Sequence, residues 1–501
     1  MVEKRILMAA ALAGLSLAPF AAGAAGAGFN LPVTQSRLAN GMTVLVLPRP
    51  GVPVVSFAYI EPVGAQDAPK GKTGLPHMLE HMMFKGTRTI GTRDWARERP
   101  ILEAQDKVAA AIDAEEDKAR PDEARLKGLR ARLKELEAAD EKLVVKDELS
   151  NLYRLRGGAN LDAWTSQDAT AYTVTLPANQ VGFYARVEED RLSHPVFREF
   201  YTERDVVAQE RRWRNESTPE GRLFEALQST AYQAAPYKDP AIGWMGDIRR
   251  LLRPDAVRFY RQCYRPDRGV LAVVGGVDPG KVLALFEKTL GRVPNPKIAP
   301  LKQDWTREPP QDGEKQVRVL FDADPITAMA WHKPNFPDPR AVALEVLSDI
   351  LTNGDTSRLV KELVFGRRLV TSISSFDGWP GERDPDLFVL QFDPASGHDS
   401  AEVVRAVQAE IAGIQKHGVT PAELKRARRA EEASFLWGKT STLGMAESLA
   451  FDQAVHGDWR WMPRFLDMVR EVTSRDIQEA AGRYLVDRNL TIATLQRGKH
   501  E

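Results

Sequence analysis

The chain has 501 residues, which is enough for two or more domains, and its 43% hydrophobic and 28% charged content is typical of a globular protein. Lys plus Arg equals Asp plus Glu at 69 each, so no net charge points to nucleic acid as a partner. Cys263 is the single cysteine. The chain therefore has no intramolecular disulfide, and a metal site must use histidines and carboxylates.

The N-terminus has the pattern of an export signal. Lys4 and Arg5 precede the apolar run "ILMAAALAGLSLAPFAA", and two small-residue triplets over 22–27 fit an A-x-A cleavage site. We predict a signal peptide over 1–27 and a periplasmic or secreted protein. An uncleaved anchor is the alternative. No later segment is long and apolar enough to span a bilayer, so we expect no stable membrane span after cleavage.

The stretch "GLPHMLEHMMFKGT" (74–87) predicts a helix that places two histidines and a carboxylate on one face. At 100° per residue, His77 and His81 differ by about 40°, and Glu80 lies about 60° to the other side of His77. Histidines four apart can chelate one zinc, and H-x-x-E-H is an inverted zinc-protease pattern. The alternative is a pair of histidines at the edge of a core. A buried polar face needs partners, which favours the metal.

Residues from about Trp95 to Val145 are charged and helix-forming, with a break at Pro121. We predict an inserted antiparallel helical hairpin of coiled-coil type over 95–148. One apolar stripe has the spacing of a coiled-coil seam and consists of Leu126, Leu129, Leu133, Leu136 and Leu143. The facing stripe is predicted to be Ile101, Ala104, Val108 and Ala111. The hairpin is either a structural arm or a grip for a partner or substrate.

A zinc site needs a third protein ligand, and the predicted helix at 200–217 offers two candidates. Glu203 and Glu210 are seven residues apart, so they share a helical face within about 20°. The residues alone do not choose between these two, and a solvated charged face is the alternative. Other carboxylates in the first half are Glu188, Glu189, Asp190 and Glu216.

The chain also contains an internal repeat. Residues 257–274 resemble 477–494 at an offset of 220, and 45–59 resemble 317–331 at an offset of 272. The offsets differ by 52, so the first half holds about 52 extra residues, which matches the length of the predicted hairpin. Residues 292–314 contain five prolines and suit an extended linker. We predict two similar α+β domains, at 28–291 and 315–501.

Several segments together resemble the pitrilysin, insulysin and mitochondrial processing peptidase family. They are "GLPHMLEHMMFKGT", "GGANLDAWTSQDATAYTVTLP" (157–177), "ERDVVAQERR" (203–212), "PYKDPAIGWMGDI" (236–248) and "YRPDRGVLAVVGGVDPGKV" (264–282). The resemblance implies two homologous α/β-sandwich-type domains, each a mixed or antiparallel sheet with helices on one face. It also implies that they form a clam shell over an unfolded peptide.

The resemblance implies a role for each matching residue. The Zn²⁺ ligands would be His77, His81 and Glu210, with Glu203 supporting the site and Glu80 as the general base that takes the proton of the attacking water. Residues of the strand that follows the hairpin would contact the backbone of an extended peptide, and these are Asp162, Ala163 and Thr165. An ordinary sheet strand is the alternative for this last segment.

The chain departs from the family pattern at two places that bear on function. Asp162 occupies the usual Asn position. In the second half, Val364 and Thr371 stand where the family carries an Arg and a Tyr that hold the substrate or the tetrahedral intermediate. Loss of one such donor can cost about 100-fold in rate. We therefore predict the zinc subunit of a heterodimer whose other chain supplies the Arg and Tyr, or of a homodimer that uses other donors.

These expectations combine into an exported zinc-dependent endopeptidase that hydrolyses peptides or unfolded segments. The alternative is a non-catalytic structural or partner-binding subunit of the same family, a role that the helical hairpin would suit.

Overall fold

The computed structural model describes residues 31–302 and 305–498, so the predicted signal peptide lies outside the described residues. The strands of the first sheet are β1 (Thr34–Arg37), β2 (Thr43–Pro48), β3 (Val54–Glu61), β4 (Ala159–Thr165), β5 (Thr170–Pro177) and β6 (Val270–Gly275). Those of the second sheet are β7 (Lys315–Phe321), β8 (Ile326–Lys333), β9 (Val370–Trp379), β10 (Asp386–Pro394) and β11 (Leu490–Arg497).

The helices divide into those that precede β7 and those that follow β8. The first group is α1 (Leu75–Met82), α2 (Trp95–Glu116), α3 (Glu123–Glu141), α4 (Glu148–Leu155), α5 (Val181–Ser193), α6 (Phe200–Arg211), α7 (Pro219–Ala231), α8 (Met245–Ile248), α9 (Arg253–Cys263) and α10 (Pro279–Lys288). The second group is α11 (Pro339–Thr352), α12 (Ser400–His417), α13 (Pro421–Gly438), α14 (Thr442–Val455), α15 (Trp461–Glu471) and α16 (Ser474–Tyr484). No helix of the described ranges is long and apolar enough to cross a membrane.

The two sheets share one topology, and the fold-class prediction of α+β is confirmed. The strand orders are β1-β2-β6-β3-β5-β4 and β7-β11-β8-β10-β9, so the second sheet repeats the first without β1. The pairs β2–β6 and β7–β11 are parallel and the other neighbours are antiparallel. Strand β8 stands at the larger repeat offset from β3, and β11 begins at the smaller offset from the start of β6, as the repeat predicts.

Each sheet is covered on one face by helices of its own half, as predicted, and on the other face by one helix of the other half. Helix α7 packs against β7, β8 and β11 of the second sheet, and Leu223 and Leu227 join the core on that face. Helix α14 packs against β3 and β6 of the first sheet. There Thr442 Oγ1 lies 2.8 Å from Ser56 Oγ of β3. The two halves are therefore held together by reciprocal helix exchange.

A buried polar cluster, the hairpin-loop lock, joins the β4–β5 loop to the β9–β10 loop. The Asp168 carboxylate accepts hydrogen bonds from Tyr237 Oη at 2.5 Å, Gln66 Nε2 at 2.7 Å and the backbone N–H of Glu382 at 2.5 Å. The Arg383 guanidinium donates to the backbone oxygens of Pro62, at 2.8 Å, and of Asp168. The lock holds equivalent loops of the two halves against each other.

The inserted segment forms a helical hairpin, α2 and α3, which we call the arm. Leu126, Leu133 and Leu136 of α3 are buried and Leu129 is half-buried. On α2 the predicted Ile101, Ala104, Val108 and Ala111 are half-buried, and the buried residues are Glu98, Leu102, Gln105, Ala109 and Glu115. Three of these buried residues are polar, which an apolar pattern does not detect.

The segment 293–314 has no helix or strand at its described positions. It is tied to the first half, since the Glu308 carboxylate accepts from the backbone N–H groups of Gln233, Ala234 and Ala235 at 2.8–2.9 Å. The predicted boundaries at 28–291, 292–314 and 315–501 stay predictions, because the exchanged helices mix the two halves.

Candidate metal centre

Helix α1 is short and rigidly placed. Its N-cap Gly74 has φ 82°, and a Cβ at this position would lie 2.4 Å from Ile242 O, so the close approach requires glycine. The helix ends at Met82, before the end of the stretch 74–87 for which a helix is predicted. Its apolar residues are buried in the first core, and they are Leu75, Met78, Leu79 and Met82. The polar face with the two histidines is therefore turned towards α6.

The structure brings His77, His81 and Glu210 together. Within the described residues they are the one group of three or more His, Cys, Asp or Glu whose potential ligand atoms all lie within 4.8 Å of one another. Glu210 Oε2 is 3.8 Å from His77 Nε2 and 3.6 Å from His81 Nε2. Ligands about 2.1 Å from a tetrahedral zinc stand roughly 3.4 Å apart, so these separations fit a zinc between the three side chains.

Glu80 lies beside this group and is held by a hydrogen bond from a neighbouring strand. Thr165 Oγ1 of β4 donates to Glu80 Oε2 at 2.6 Å, and Glu80 is only 9% exposed. Burial raises the pKa of Glu80 to about 7, against the opposing effects of the Thr165 hydrogen bond and the nearby His81. The side chain of Thr165, predicted to bind substrate, thus positions the carboxyl group of Glu80.

Glu203 lies outside the three-residue group and contacts the ring of His81. Its Oε2 lies 3.3 Å from His81 Nδ1, and its other oxygen accepts from Lys85 Nζ, which also binds Glu199 at 3.1 Å. Burial alone would lower the pKa of His81, but hydrogen bonds to Glu203 and Glu210 outweigh it and raise the pKa to about 9. The arrangement resembles the carboxylate partners that orient metal-ligating histidines.

His77 is in the opposite electrostatic situation. Burial lowers its pKa to about 4, and the neighbouring His81 adds to the effect. A neutral imidazole is the form that binds metals. Nδ1 of His77 is buried, and none of the described residues forms a hydrogen bond with it.

An open cleft with about 610 Å³ of empty space adjoins the centre. Asp162 and Ala163 of β4 line it, together with Glu80 and His81. Strand β4 is the last strand of its sheet, so its outer edge has no neighbouring strand among the described residues. A free edge beside a cleft can pair with the backbone of an extended peptide.

Two residues of the site were not predicted from the sequence, and each follows a predicted residue by four positions. Lys85 comes four residues after His81 and binds Glu203, and Arg214 comes four residues after Glu210 and binds its Oε1 at 3.0 Å. The i,i+4 spacing of opposite charges predicts the ion pair between Glu210 and Arg214.

The two residues of the second half that differ from the family pattern make local contacts. Val364 packs against the second core, and Thr371 Oγ1 donates to Asp393 O at 3.3 Å.

Comparison with known families now has a structural basis. Residues 131–243 match the family described as insulinase (peptidase family M16), and residues 251–431 match the one described as peptidase M16 inactive domain. The first match includes Glu203 and Glu210 and begins after the histidines. With the shared two-sheet fold, these matches define the class: the chain belongs to the M16 peptidase family.

Individual relatives extend over nearly the whole chain. A protein named zinc protease PqqE from Helicobacter pylori is 27% identical, over 93% of each chain. A probable mitochondrial-processing peptidase subunit beta from Schizosaccharomyces pombe is 23% identical, over 93% of this chain and 92% of its own.

Solved structures agree in fold. A protease from Helicobacter pylori superimposes with a TM-score of 0.77 at 24% identity, covering 93% of this chain and 99% of its own. The periplasmic protease PqqL from Escherichia coli superimposes with a TM-score of 0.68 at 16% identity, covering 94% of this chain but 48% of its own. This chain therefore corresponds to about half of the PqqL chain.

Proposed function

We propose that the protein is a zinc-dependent endopeptidase that hydrolyses peptides or unfolded segments. The observation that carries the proposal is the convergence of His77, His81 and Glu210 within 4.8 Å, next to the buried carboxyl group of Glu80. The names of the relatives, zinc proteases and a processing peptidase subunit, support the same chemistry.

The residues present fit a zinc ion. Two imidazoles and one carboxylate are a ligand set used by zinc peptidases, which leave one position open. His77, His81 and Glu210 would hold the metal. When bound, Zn²⁺ polarises the scissile carbonyl group and lowers the pKa of water at the open position to about 7.

The other side chains supply positioning and proton transfer. The carboxyl group of Glu80, buried beside the three ligand residues, would take a proton from water and give it to the leaving amine. Thr165 holds one oxygen of Glu80, and Glu203 with Lys85 holds the His81 ring. The free edge of β4, at Asp162 and Ala163, would pair with the substrate backbone, which favours extended peptides of varied sequence.

The test is Glu80→Gln, which keeps the size of the side chain and removes the base. We expect stoichiometric zinc in the purified variant, measured by elemental analysis, and no detectable cleavage of an unfolded protein substrate such as reduced, alkylated casein. Hydrolysis at the wild-type rate in this variant would refute the assignment of Glu80.

We further propose that the active form is a dimer and that it works outside the cytoplasm. Val364 and Thr371 leave the second half without the Arg and Tyr of the family pattern, so another subunit would supply them, or a second copy, which has the same residues, would use other donors. The chain matches about half the length of the periplasmic PqqL, so two such chains together have the size of that protein. Full activity of an isolated monomer would contradict the dimer.

The second candidate is a non-catalytic partner-binding subunit, favoured by Val364 and Thr371 and compatible with the match of residues 251–431 to a domain described as inactive. It predicts no stoichiometric zinc in protein purified without chelators. Elemental analysis of the wild-type protein therefore separates the two functions.

A further inference from the structure

The arm begins and ends next to the candidate metal centre. Its two ends are joined by backbone hydrogen bonds, from Arg93 N to Leu143 O at 2.7 Å and from Val145 N to Gly91 O at 3.0 Å. Gly91 comes only ten residues after His81. The root of the arm is therefore continuous with the loop that follows the histidine helix α1.

Arg198 fixes this loop to the arm. Its side chain is 1% exposed, and its Nε donates to Glu98 Oε1 of α2 at 2.7 Å. Its other nitrogens donate to backbone oxygens of the loop, at 2.6 Å to Thr87, at 3.0 Å to Ile90, and to Lys85. The guanidinium group thus satisfies three carbonyl groups of one loop, a fork geometry that lysine cannot reproduce.

The same arginine adjoins the second ligand helix. Arg198 lies two residues before the start of α6, which carries Glu203 and Glu210. Lys85, whose carbonyl oxygen Arg198 holds, extends its ammonium group to Glu203, and Glu203 contacts His81 Nδ1 at 3.3 Å. The arm, the loop after α1 and the start of α6 therefore meet at one buried side chain.

Glu98 gives this junction its buried counter-charge. Its side chain is 0% exposed, and the pair Glu98–Arg198 is among the most enclosed ion pairs of the described residues. Loss of one member of a buried pair leaves the other charge uncompensated, so the local structure must rearrange. Lys85, Thr87 and Ile90, whose carbonyl oxygens Arg198 binds, are in direct contact with this pair.

We propose that Glu98 and Arg198 are a positioning pair, through which the arm holds the two ligand helices at the separation that the metal centre requires. The inference rests on the proposed zinc function. It assigns the arm a role in metal affinity rather than in substrate or partner contact.

The test measures zinc affinity by competition with a chromophoric chelator, in the full-length protein. We expect Glu98→Gln to weaken zinc binding by about 10-fold, and Arg198→Lys by up to about 100-fold, the range seen when the outer partners of metal ligands are removed. The matched control is Glu116→Gln, which breaks the exposed Glu116–Arg130 pair on the same hairpin. It should leave zinc affinity unchanged.

A second variant separates positioning from folding. Glu115, near the far end of α2, is 2% exposed and closes that end of the arm, by accepting from Lys118 Nζ at 2.7 Å and from the backbone N–H of Asp122 at 3.1 Å. Glu115→Gln should lower the unfolding temperature of the metal-free protein without changing zinc affinity. If Glu98→Gln lowers that temperature and leaves zinc affinity within twofold of wild type, the pair is only structural and the inference is overturned.

The outcome also distinguishes this inference from the proposed function. Wild-type protein that binds no zinc overturns both. Wild-type protein that binds zinc with the same affinity as Glu98→Gln and Arg198→Lys overturns the positioning role alone.

Discussion

The two halves of the molecule present the same helix pair with different chemistry. In the first half, α1 and α6 pack together and carry His77, His81 and Glu210. In the second half, α11 and α13 pack together at the equivalent place and contain no histidine. There, Glu345 faces Glu431, which stands next to the position that the smaller repeat offset assigns to Glu210.

The difference shows that a few side chains decide whether one half of a repeated fold carries a candidate metal centre. Burial raises the pKa of Glu345 well above its usual range, and the nearby Asp377 and Glu431 add to the effect. The same sheet and helices therefore support a candidate metal centre in one half and a pair of facing glutamates in the other.

The largest expected effect comes from changing one side chain in each of the two helix pairs and comparing the two variants. His77→Ala removes a ligand, so we expect loss of stoichiometric zinc and a fall in peptidase rate of about 1,000-fold, as several kcal/mol of transition-state stabilisation are lost. Glu431→Gln should leave zinc content unchanged. Loss of zinc in both variants would contradict the assignment of the site to the first half.

Arg383→Ala tests whether the hairpin-loop lock keeps the halves together. The change leaves the buried carboxylates of Asp67 and Asp168 without their cation, and we expect the free energy of unfolding to fall by about 3 kcal/mol. Chemical denaturation of the metal-free protein measures it. The control is Arg497→Ala, which removes the exposed pair with Asp324 and should cost less than about 1 kcal/mol. Equal effects of the two variants would argue against the lock.

Leu227→Ala and Leu449→Ala test the helix exchange from both sides. Each side chain is 0% exposed, on α7 and α14 respectively, and each truncation should cost about 2–4 kcal/mol. Because each helix covers the sheet of the other half, we expect one cooperative unfolding transition, shifted to lower denaturant in both variants. Two separate transitions, with only one of them shifted, would show that the halves are independent.

The smallest expected effect concerns two buried ionisable side chains at equivalent places in the two halves. Glu61 ends β3, and Lys333 ends β8, the equivalent strand of the second half. Burial raises the pKa of Glu61 to about 8, so its protonated form is favoured in the folded protein. The folded state then binds more protons than the unfolded state, and stability must fall as pH rises from about 4.5 through 8.

We expect about 2 kcal/mol of stability to be lost between pH 6 and pH 8, and Glu61→Gln should flatten this dependence. For Lys333, burial lowers the pKa, but Asp386 at 2.8 Å and Asp377 outweigh it and raise the pKa above the usual value. Its contribution therefore changes only above about pH 10. Lys333→Met should not flatten the slope between pH 6 and pH 8, since it removes the cation that lowers the pKa of the buried Asp386. A flattened slope in this variant would contradict the assignment to Glu61.

Sequence patterns predicted the repeat because strand positions recur at fixed offsets, and the offsets 272 and 220 place β8 and β11 correctly. Helical spacing also placed His77 and His81 on one face, whereas the choice of Glu210 over Glu203 came from the family resemblance. Sequence patterns did not predict the helix exchange. The apolar face of α7 shows that it packs against a sheet but not which sheet it meets.

Buried polar contacts explain why the buried face of α2 and the contact made by Thr165 were not predicted from the sequence. The buried face of α2 includes Glu98 and Gln105, and Glu98 is stabilised there by Arg198, which is distant in sequence. A pattern of apolar residues places such positions on the outside. Thr165 likewise is a residue type common in strands, and only the fold shows that its hydroxyl group donates to Glu80.

Reciprocal helix exchange also sets an order of events during synthesis. Helix α7 leaves the ribosome before the second sheet that it covers, whereas α14 (Thr442–Val455) leaves it long after the first sheet is complete at Gly275. Until then the face of β3 that carries Ala58 and Ile60, both 0% exposed in the folded chain, has no cover. We therefore expect a first half that lacks α14 to be prone to aggregation, and its exposed sheet face becomes covered only once residues up to 455 are available.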